Sequence, residues 1–143
     1  MNRGQLGGGR VTEKSGEQGS GPKVQSFRDL LVWQRSMQLT VAIYKMTKNF
    51  PHEEVYGLTS QIRRSAVSIP SNIAEGQGRL NTGEFRQFLG IARGSNCELQ
   101  TQLEIARALQ FCDEKQLAEA EGLSHEVGKM LFVLLESLKS TVH

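Results

Sequence analysis

The chain has 143 residues, of which 38% are hydrophobic and 22% are charged, and its formal net charge is +2. This size and composition are typical of one soluble globular domain. No apolar run reaches the length of about 18 residues that a membrane-spanning helix needs. The N-terminus lacks the apolar core of a secretory signal, which favours a cytoplasmic protein. Neither Cys97 nor Cys112 has a CxxC or Cys/His partner, so we expect both to be small buried hydrophobes.

Charge is distributed unevenly along the chain. Residues 26–107 carry ten basic and seven acidic side chains, whereas residues 108–143 carry three basic and six acidic ones. The two segments therefore have opposite net charges of +3 and −3, which cancel. This balance does not require a nucleic-acid partner, but it permits one at a local basic patch.

The first 25 residues differ in composition from the rest. Residues 1–25 are rich in glycine and contain few apolar side chains. They cannot bury enough surface to offset the entropy of ordering, so we expect a disordered tail. The triple glycine at Gly7–Gly9 has no preceding strand and no following Gly-Lys-Ser/Thr, so it does not indicate a phosphate-binding loop.

Residues 26–143 are predicted to form one domain of four amphipathic helices. Hydrophobic periodicity and capping residues place these helices at about 26–49, 53–78, 82–110 and 113–139. Short connections make sequential helices antiparallel neighbours. The sequence therefore predicts an all-α, up-down-up-down four-helix bundle.

The first predicted helix begins at Ser26, which has Asp29 three residues later as a capping partner. It ends before Pro51, because proline disfavours the helical conformation of the residue that precedes it. The apolar stripe expected to face the core comprises Phe27, Leu30, Leu31, Met37, Val41 and Tyr44.

The second predicted helix contains a proline. Glu53 and Glu54 complement the positive end of its dipole. Its stripe crosses Pro70 without losing phase, which favours one kinked helix or two short helices on a shared axis. Ser71 and Asn72 are predicted to repair the hydrogen bonding that proline disturbs, or alternatively to present amides to an anion. The stripe comprises Leu58, Ile62, Ala66, Ile69 and Ile73.

Asn81 and Asp113 are the predicted N-caps of the third and fourth helices, with Glu84 and Gln116 three residues later. The stripe of the third helix comprises Phe85, Phe88, Leu89, Ala92, Ser95, Leu99, Leu103 and Ala106. The stripe of the fourth comprises Leu117, Ala120, Leu123, Val127, Leu131, Leu134 and Leu138.

Several short stretches match a known protein family. The most specific is Ser68-Ile-Pro-Ser-Asn-Ile-Ala-Glu-Gly76, and the others include Phe27-Arg-Asp-Leu-Leu-Val-Trp33, Tyr56-Gly-Leu58, Gln61-Ile-Arg-Arg64 and Phe88-Leu-Gly-Ile-Ala92. On these residues the chain resembles the 23S rRNA-intervening sequence protein family of four-helix bundles. The resemblance covers Phe27 to Leu138, which is the whole predicted domain apart from its ends.

This resemblance carries expectations about assembly and partners. It implies a left-handed bundle that assembles into a ring-like homopentamer. A similar fold serves as the accessory subunit of reverse transcriptases, where a basic surface engages RNA and the polymerase. The resemblance brings no catalytic residues to this chain.

The candidate binding residues are arginines. Between residues 26 and 107, arginine outnumbers lysine eight to two, and the planar guanidinium suits phosphate contacts. The spacing of seven and fourteen residues places three of them on one face of the third helix, without an acid four residues before or after. The alternative is a solvated helix face or a subunit interface. The predicted nucleic-acid-binding residues are Arg63, Arg64, Arg79, Arg86, Arg93 and Arg107.

No catalytic, cofactor-binding or metal-binding residue is predicted. Glu75 and Glu98 border the buried stripes, but without a nucleophile or a histidine beside them a link to nearby arginines is favoured over acid–base catalysis. His125 is the one histidine within a predicted helix, and it lacks the Glu three residues earlier that a di-iron site needs. Trp33 and Tyr56 have the chemistry to stack on bases, although core or interface positions are favoured.

The sequence therefore predicts a non-enzymatic, self-assembling bundle that contacts RNA or DNA through an arginine-rich surface. The alternative function is a structural adaptor or accessory subunit that binds a protein partner, for example a reverse transcriptase, without contacting nucleic acid. Neither function needs a cofactor or a membrane.

Overall fold

The computed structural model describes residues 26–139, and within this range it contains four α-helices, two short 3-10 helices and no strand. The α-helices are α1 (Leu31–Thr47), α2 (Leu58–Gln77), α3 (Thr82–Ala108) and α4 (Glu114–Lys139). The predicted all-α four-helix bundle is confirmed. The predicted disordered tail, residues 1–25, lies outside the described residues. No helix of the described part is long and apolar enough to cross a membrane.

The four helices form a closed ring of contacts in the order α1, α2, α3, α4. Paired contacts show that neighbours run antiparallel. Thr47 near the end of α1 accepts a hydrogen bond from Arg63 of α2, whereas Thr40, earlier in α1, bonds to Ala66, later in α2. The topology is therefore up-down-up-down, because each connection returns the chain beside the helix that it has just left.

A single apolar core fills the centre of the bundle. The stripes predicted for the second, third and fourth helices lie in this core or pack against it, apart from Phe88 and Ser95. In α2, Ile62, Ile69 and Ile73 are fully buried. Burying one such side chain stabilises the fold by about 1.5–3 kcal/mol, so these stripes hold the helices together.

The apolar stripe predicted for the first helix is wrong at four of its six positions, whereas Leu30 packs against the core as predicted. Leu31, Met37, Val41 and Tyr44 lie on the outside of α1, with between 39% and 52% of each residue exposed. Periodicity selected these larger side chains because α1 is apolar on two faces. The face that enters the core carries smaller and polar residues among its members: Val32, Ser36, Leu39, Ala42, Ile43 and Met46.

The predicted starts of the first two helices are also wrong. Ser26 and its partner form the expected capping box, but around a 3-10 helix at Phe27–Asp29, and α1 begins only after the extended residue Leu30. A second 3-10 helix occupies His52–Glu54, and α2 begins at Leu58. Here Glu54 Oε1 accepts a hydrogen bond from the Leu58 N–H at 3.1 Å. This acid therefore caps α2 from outside the helix instead of forming its first turn.

The N-caps of the last two helices are as predicted. Asn81 Oδ1 accepts a hydrogen bond from the Glu84 N–H at 2.8 Å, and Asp113 Oδ2 accepts one from the Gln116 N–H at 2.9 Å. α3 ends in a Schellman motif, in which Gln110 has a positive φ of 61°.

α2 is one continuous helix through Pro70. Proline has no N–H, so the carbonyl of Ala66 loses its intrahelical donor. The hydroxyl of Thr40 in α1 supplies the missing bond at 3.2 Å. The prediction that Ser71 and Asn72 make this repair is wrong, because Ser71 is exposed and Asn72 Nδ2 donates to the carbonyl of Ser68 instead.

Candidate nucleic-acid interface

Arg63 and Arg64 line a groove between α1 and α2. Arg63 Nε donates to Thr47 Oγ1 at 2.8 Å, and its guanidinium lies 4.5 Å from the centre of the Tyr44 ring. Arg64 is exposed, and its Nη2 donates to Ser60 Oγ at 3.3 Å. Neither arginine forms an ion pair with a carboxylate of the described chain. Both charges therefore remain available to an anionic ligand.

Three arginines of α3 lie along the edge that borders α4. Arg86 Nε donates to the Leu135 carbonyl of α4 at 3.4 Å, and Arg107 bonds to Glu121 of the same helix. Arg93 is exposed seven residues after Arg86, and therefore lies on the same edge. The shared face that the spacing predicts is present, but it is separate from the α1–α2 groove.

Arg107 is surrounded by acids. Its guanidinium bonds to Glu121, and it lies 3.8 Å from Glu104 and 3.9 Å from Glu114. The hydrogen bond to Glu121, together with the charge of that carboxylate, raises the pKa of Arg107. Three carboxylates around one cation leave this end of α3 with a local negative charge. The end is therefore a poor place for a phosphate.

Arg79, which follows α2, is partly compensated. Its Nη2 bonds to Glu75 at 2.9 Å, and its guanidinium packs 4.8 Å from the centre of the Phe88 ring. The link between Glu75 and an arginine is thus present, although it spans one helical turn and joins no two helices. Glu98 is exposed on α3. Glu75 and Glu98, the two acids considered for acid–base catalysis, therefore have different surroundings: Glu75 is paired with Arg79, and Glu98 is exposed on another helix.

The sequence pattern missed Tyr44, which faces Arg63 in the groove. The periodicity of large apolar residues in the first helix places Tyr44 in the core. The spacing of Val32, Leu39 and Met46 is the signal that places it correctly, because a core face built on these seven-residue steps leaves Tyr44 outside.

The two aromatic residues considered for base stacking have different positions. Trp33 is half-buried, and its ring packs edge-to-face against Phe27 with 5.2 Å between ring centres. Tyr56 is 95% exposed in the segment before α2. Trp33 therefore holds the N-terminal 3-10 helix against the bundle, whereas the ring of Tyr56 is open to a ligand.

The prediction of buried cysteines is wrong for Cys97, which is exposed, whereas Cys112 is partly buried and packs against the apolar core. Burial raises the pKa of the Cys112 thiol. Among residues 26–139 no group of three His, Cys, Asp or Glu side chains is placed to hold a metal ion.

These features define an all-α bundle whose candidate site lies on the outer faces of its helices. Residues 28–133 match the model of the 23S rRNA-intervening sequence protein family. The chain belongs to this family.

One solved structure extends this comparison. The chain is similar to a crystal structure of a protein of unknown function from the S23 ribosomal protein family of Bacteroides thetaiotaomicron VPI-5482. The two share 25% sequence identity and a TM-score of 0.69, over 74% of this chain and 96% of that chain. No protein with a curated description matches the sequence. The family and the structural neighbour indicate no enzyme family.

Proposed function

We propose that this chain is a cytoplasmic, non-enzymatic, self-assembling bundle that contacts RNA or DNA through arginines on the outer faces of α2 and α3. The observation that carries the proposal is the unequal pairing of the candidate arginines. Arg79 and Arg107 form ion pairs with carboxylates. In the part of the chain that the structure describes, the remaining four form none: Arg63, Arg64, Arg86 and Arg93.

An arginine without a carboxylate partner suits a phosphate contact. Its planar fork can donate two parallel hydrogen bonds to phosphate oxygens. Binding through phosphates is tolerant of sequence and weakens as salt rises, because each neutralised phosphate releases condensed counterions. Four contacts per bundle correspond to a slope of about −3 for the logarithm of the association constant against the logarithm of salt concentration.

The outer face of α1 supports the self-assembly part of the proposal. Met37, Val41 and Tyr44 are spaced by four and three residues, so they form one exposed apolar stripe. Exposed apolar patches mark protein interfaces. A homopentamer has five times the chain mass of 15.9 kDa, which light scattering after size exclusion measures directly. A monomer at all concentrations would contradict the assembly.

A fluorescence-anisotropy titration at several salt concentrations tests the nucleic-acid contact. Two double charge reversals are compared with the wild type: Arg63→Glu/Arg64→Glu and Arg86→Glu/Arg93→Glu. Each should weaken binding tenfold or more. A tenfold loss of affinity corresponds to about 1.4 kcal/mol, which is less than the loss of two charge-assisted hydrogen bonds. The matched control reverses two exposed lysines of α4, Lys115 and Lys129, which changes the net charge equally. Equal losses in control and test variants, or binding indifferent to salt, would remove the arginines from the site.

The α1 stripe also favours the alternative of an adaptor or accessory subunit that binds a protein partner. In that case the chain binds no oligonucleotide at low salt, and the arginine variants leave its associations unchanged. Val41→Asp then abolishes binding to sister subunits or to the partner, since it places a charge in the middle of the apolar stripe. Measuring the arginine variants and Val41→Asp in both the anisotropy titration and the light-scattering assay separates the two functions.

A further inference from the structure

The groove between α1 and α2 has the dimensions of a small-molecule site. Its volume is about 540 Å³, within the range of about 300–1,000 Å³ that ligand pockets occupy. Arg63, Arg64 and Ser60 supply its polar wall, and the partly exposed side chains of Val55 and Val67 supply apolar surface. The groove therefore combines cationic and apolar walls in one open cleft.

Arg63 is held in place before any ligand arrives. Thr47 accepts the hydrogen bond of its Nε, and the Tyr44 ring lies beneath its guanidinium plane. These two contacts fix the orientation of the fork and leave the two Nη groups to donate elsewhere. A side chain that is already ordered loses less entropy when it binds a ligand.

The charge in the groove does not come from the start of α2. Glu54 already occupies that position, where its carboxylate accepts the Leu58 N–H. The positive charge instead belongs to two consecutive arginines. Both line the groove, and no carboxylate of the described chain forms an ion pair with either.

We propose that this groove binds a phosphate monoester, which is the group that ends a nucleic-acid strand or that a free mononucleotide carries. A monoester has a charge of about −1.5 to −2 at neutral pH and three terminal oxygens, whereas each internal phosphodiester carries one charge. The two guanidinium forks of Arg63 and Arg64 match the charge and the oxygens of the monoester. Val55 and Val67 contact the sugar or base attached to it.

This inference rests on the proposed function where the phosphate monoester is the end of a nucleic-acid strand. The test uses two single-stranded oligonucleotides that are identical except for a 5′-phosphate, with the full chain at fixed salt. The phosphorylated strand should bind about tenfold more tightly, as one to two extra charge-assisted hydrogen bonds predict. Adenosine monophosphate, measured by calorimetry and as a competitor, should bind and abolish this advantage.

Three variants locate the effect. Arg64→Met should remove the tenfold advantage and leave thermal unfolding unchanged, because this side chain is exposed. Arg63→Lys keeps the charge but loses the planar guanidinium fork, so it should also remove the tenfold advantage. Lysine is used here instead of methionine because Arg63→Met would disturb the packing on Tyr44. Arg93→Met is the control, which should weaken both strands by the same factor and preserve their ratio.

The outcomes separate this inference from the proposed function. Equal affinity for the two strands, with normal salt dependence and no binding of the mononucleotide, overturns the phosphate site and leaves the nucleic-acid function standing. A mononucleotide that binds with dependence on Arg64, when neither strand binds, overturns the nucleic-acid function and supports the site. A tenfold advantage that survives Arg64→Met overturns the assignment to this groove.

Discussion

Thr40 is linked to Pro70 through the carbonyl of Ala66 across the α1–α2 interface, and a double-mutant cycle measures the contribution of this link to stability. Because Pro70 lacks an N–H, the carbonyl of Ala66 depends on the Thr40 hydroxyl, 3.2 Å away. The same hydroxyl lies 2.9 Å from the Ser36 carbonyl, so its single proton is shared between two acceptors. The Ser36 carbonyl also has the intrahelical N–H four residues later as a donor. Only the Ala66 carbonyl is left without a donor when the hydroxyl is removed.

Thr40→Val removes the hydroxyl and keeps the shape of the side chain. Ala66 is fully buried, and leaving a buried carbonyl without a partner costs about 1–3 kcal/mol. For a domain of this size, 1 kcal/mol corresponds to about 4 °C in Tm, so the expected loss is about 4–12 °C. In the Pro70→Ala background the backbone N–H at position 70 can bond to Ala66 again. Thr40→Val should then cost less than about 1 kcal/mol.

Urea unfolding of the four proteins, followed by far-ultraviolet circular dichroism, gives the coupling energy as the difference between the two costs. We expect about 1–2 kcal/mol, because one neutral hydrogen bond and one buried acceptor are at stake. Costs of Thr40→Val that agree within about 0.5 kcal/mol in the two backgrounds would refute the argument. In that case Thr40 does not replace the donor that Pro70 removes.

Three further predictions follow from packing, buried polarity and charge. Gly76→Ala should cost about 1–3 kcal/mol in urea unfolding, because the new Cβ would lie 2.6 Å from Phe88 Cβ; Gly90→Ala, which meets no atom within 4 Å, should instead stabilise by about 0.5–1 kcal/mol. Thr59→Val should raise Tm, because the buried Thr59 hydroxyl has no partner among the described residues and its desolvation costs about 1–3 kcal/mol; a lower Tm would contradict this. The pKa of Cys112 is raised by burial, so the unfolded state loses the thiol proton first and the free energy of unfolding should fall as pH rises above about 8.5; a Cys112→Ala variant that shows the same fall would assign it elsewhere.

The sequence predicted α2, α3 and α4 better than α1 for a physical reason. In each of those three helices the longest run of apolar residues at helical spacing is the buried one, so periodicity identifies the core face even though Val67, Ile91 and Val133 are exposed. α1 carries Leu39 and Ile43 in the core and Val41 and Tyr44 outside. Hydropathy cannot rank two apolar faces, because burial depends on the neighbouring helices and not on the helix itself. Periodicity therefore places the outer face of α1 in the core, and it does not identify Tyr44 as part of the α1–α2 groove.

Local rules also fail where a backbone group finds its partner in another element. Pro70 predicts a missing hydrogen bond, and the nearby polar residues in sequence are Ser71 and Asn72. The actual donor is Thr40, which is 26 residues from the acceptor Ala66. Similarly, the carboxylate of Glu54 predicts a helix start nearby, but its length lets it cap α2 from four residues away. In both cases the residue types indicate that a backbone group needs a hydrogen-bond partner. Only the packing identifies which side chain provides it.

The arginines show how the same limit affects a candidate site. Counting four residues in each direction finds the pair between Arg79 and Glu75, because both partners lie on one helical turn. It cannot find Glu121, which is fourteen residues from Arg107 and reaches it across the α3–α4 interface. Arg107 looked unpaired in the sequence and is the most heavily paired of the six candidates in the structure. Interhelical packing therefore divides one apparent arginine stripe into cations that stabilise the bundle and cations that are available to a ligand, and Arg63 and Arg64 belong to the second group.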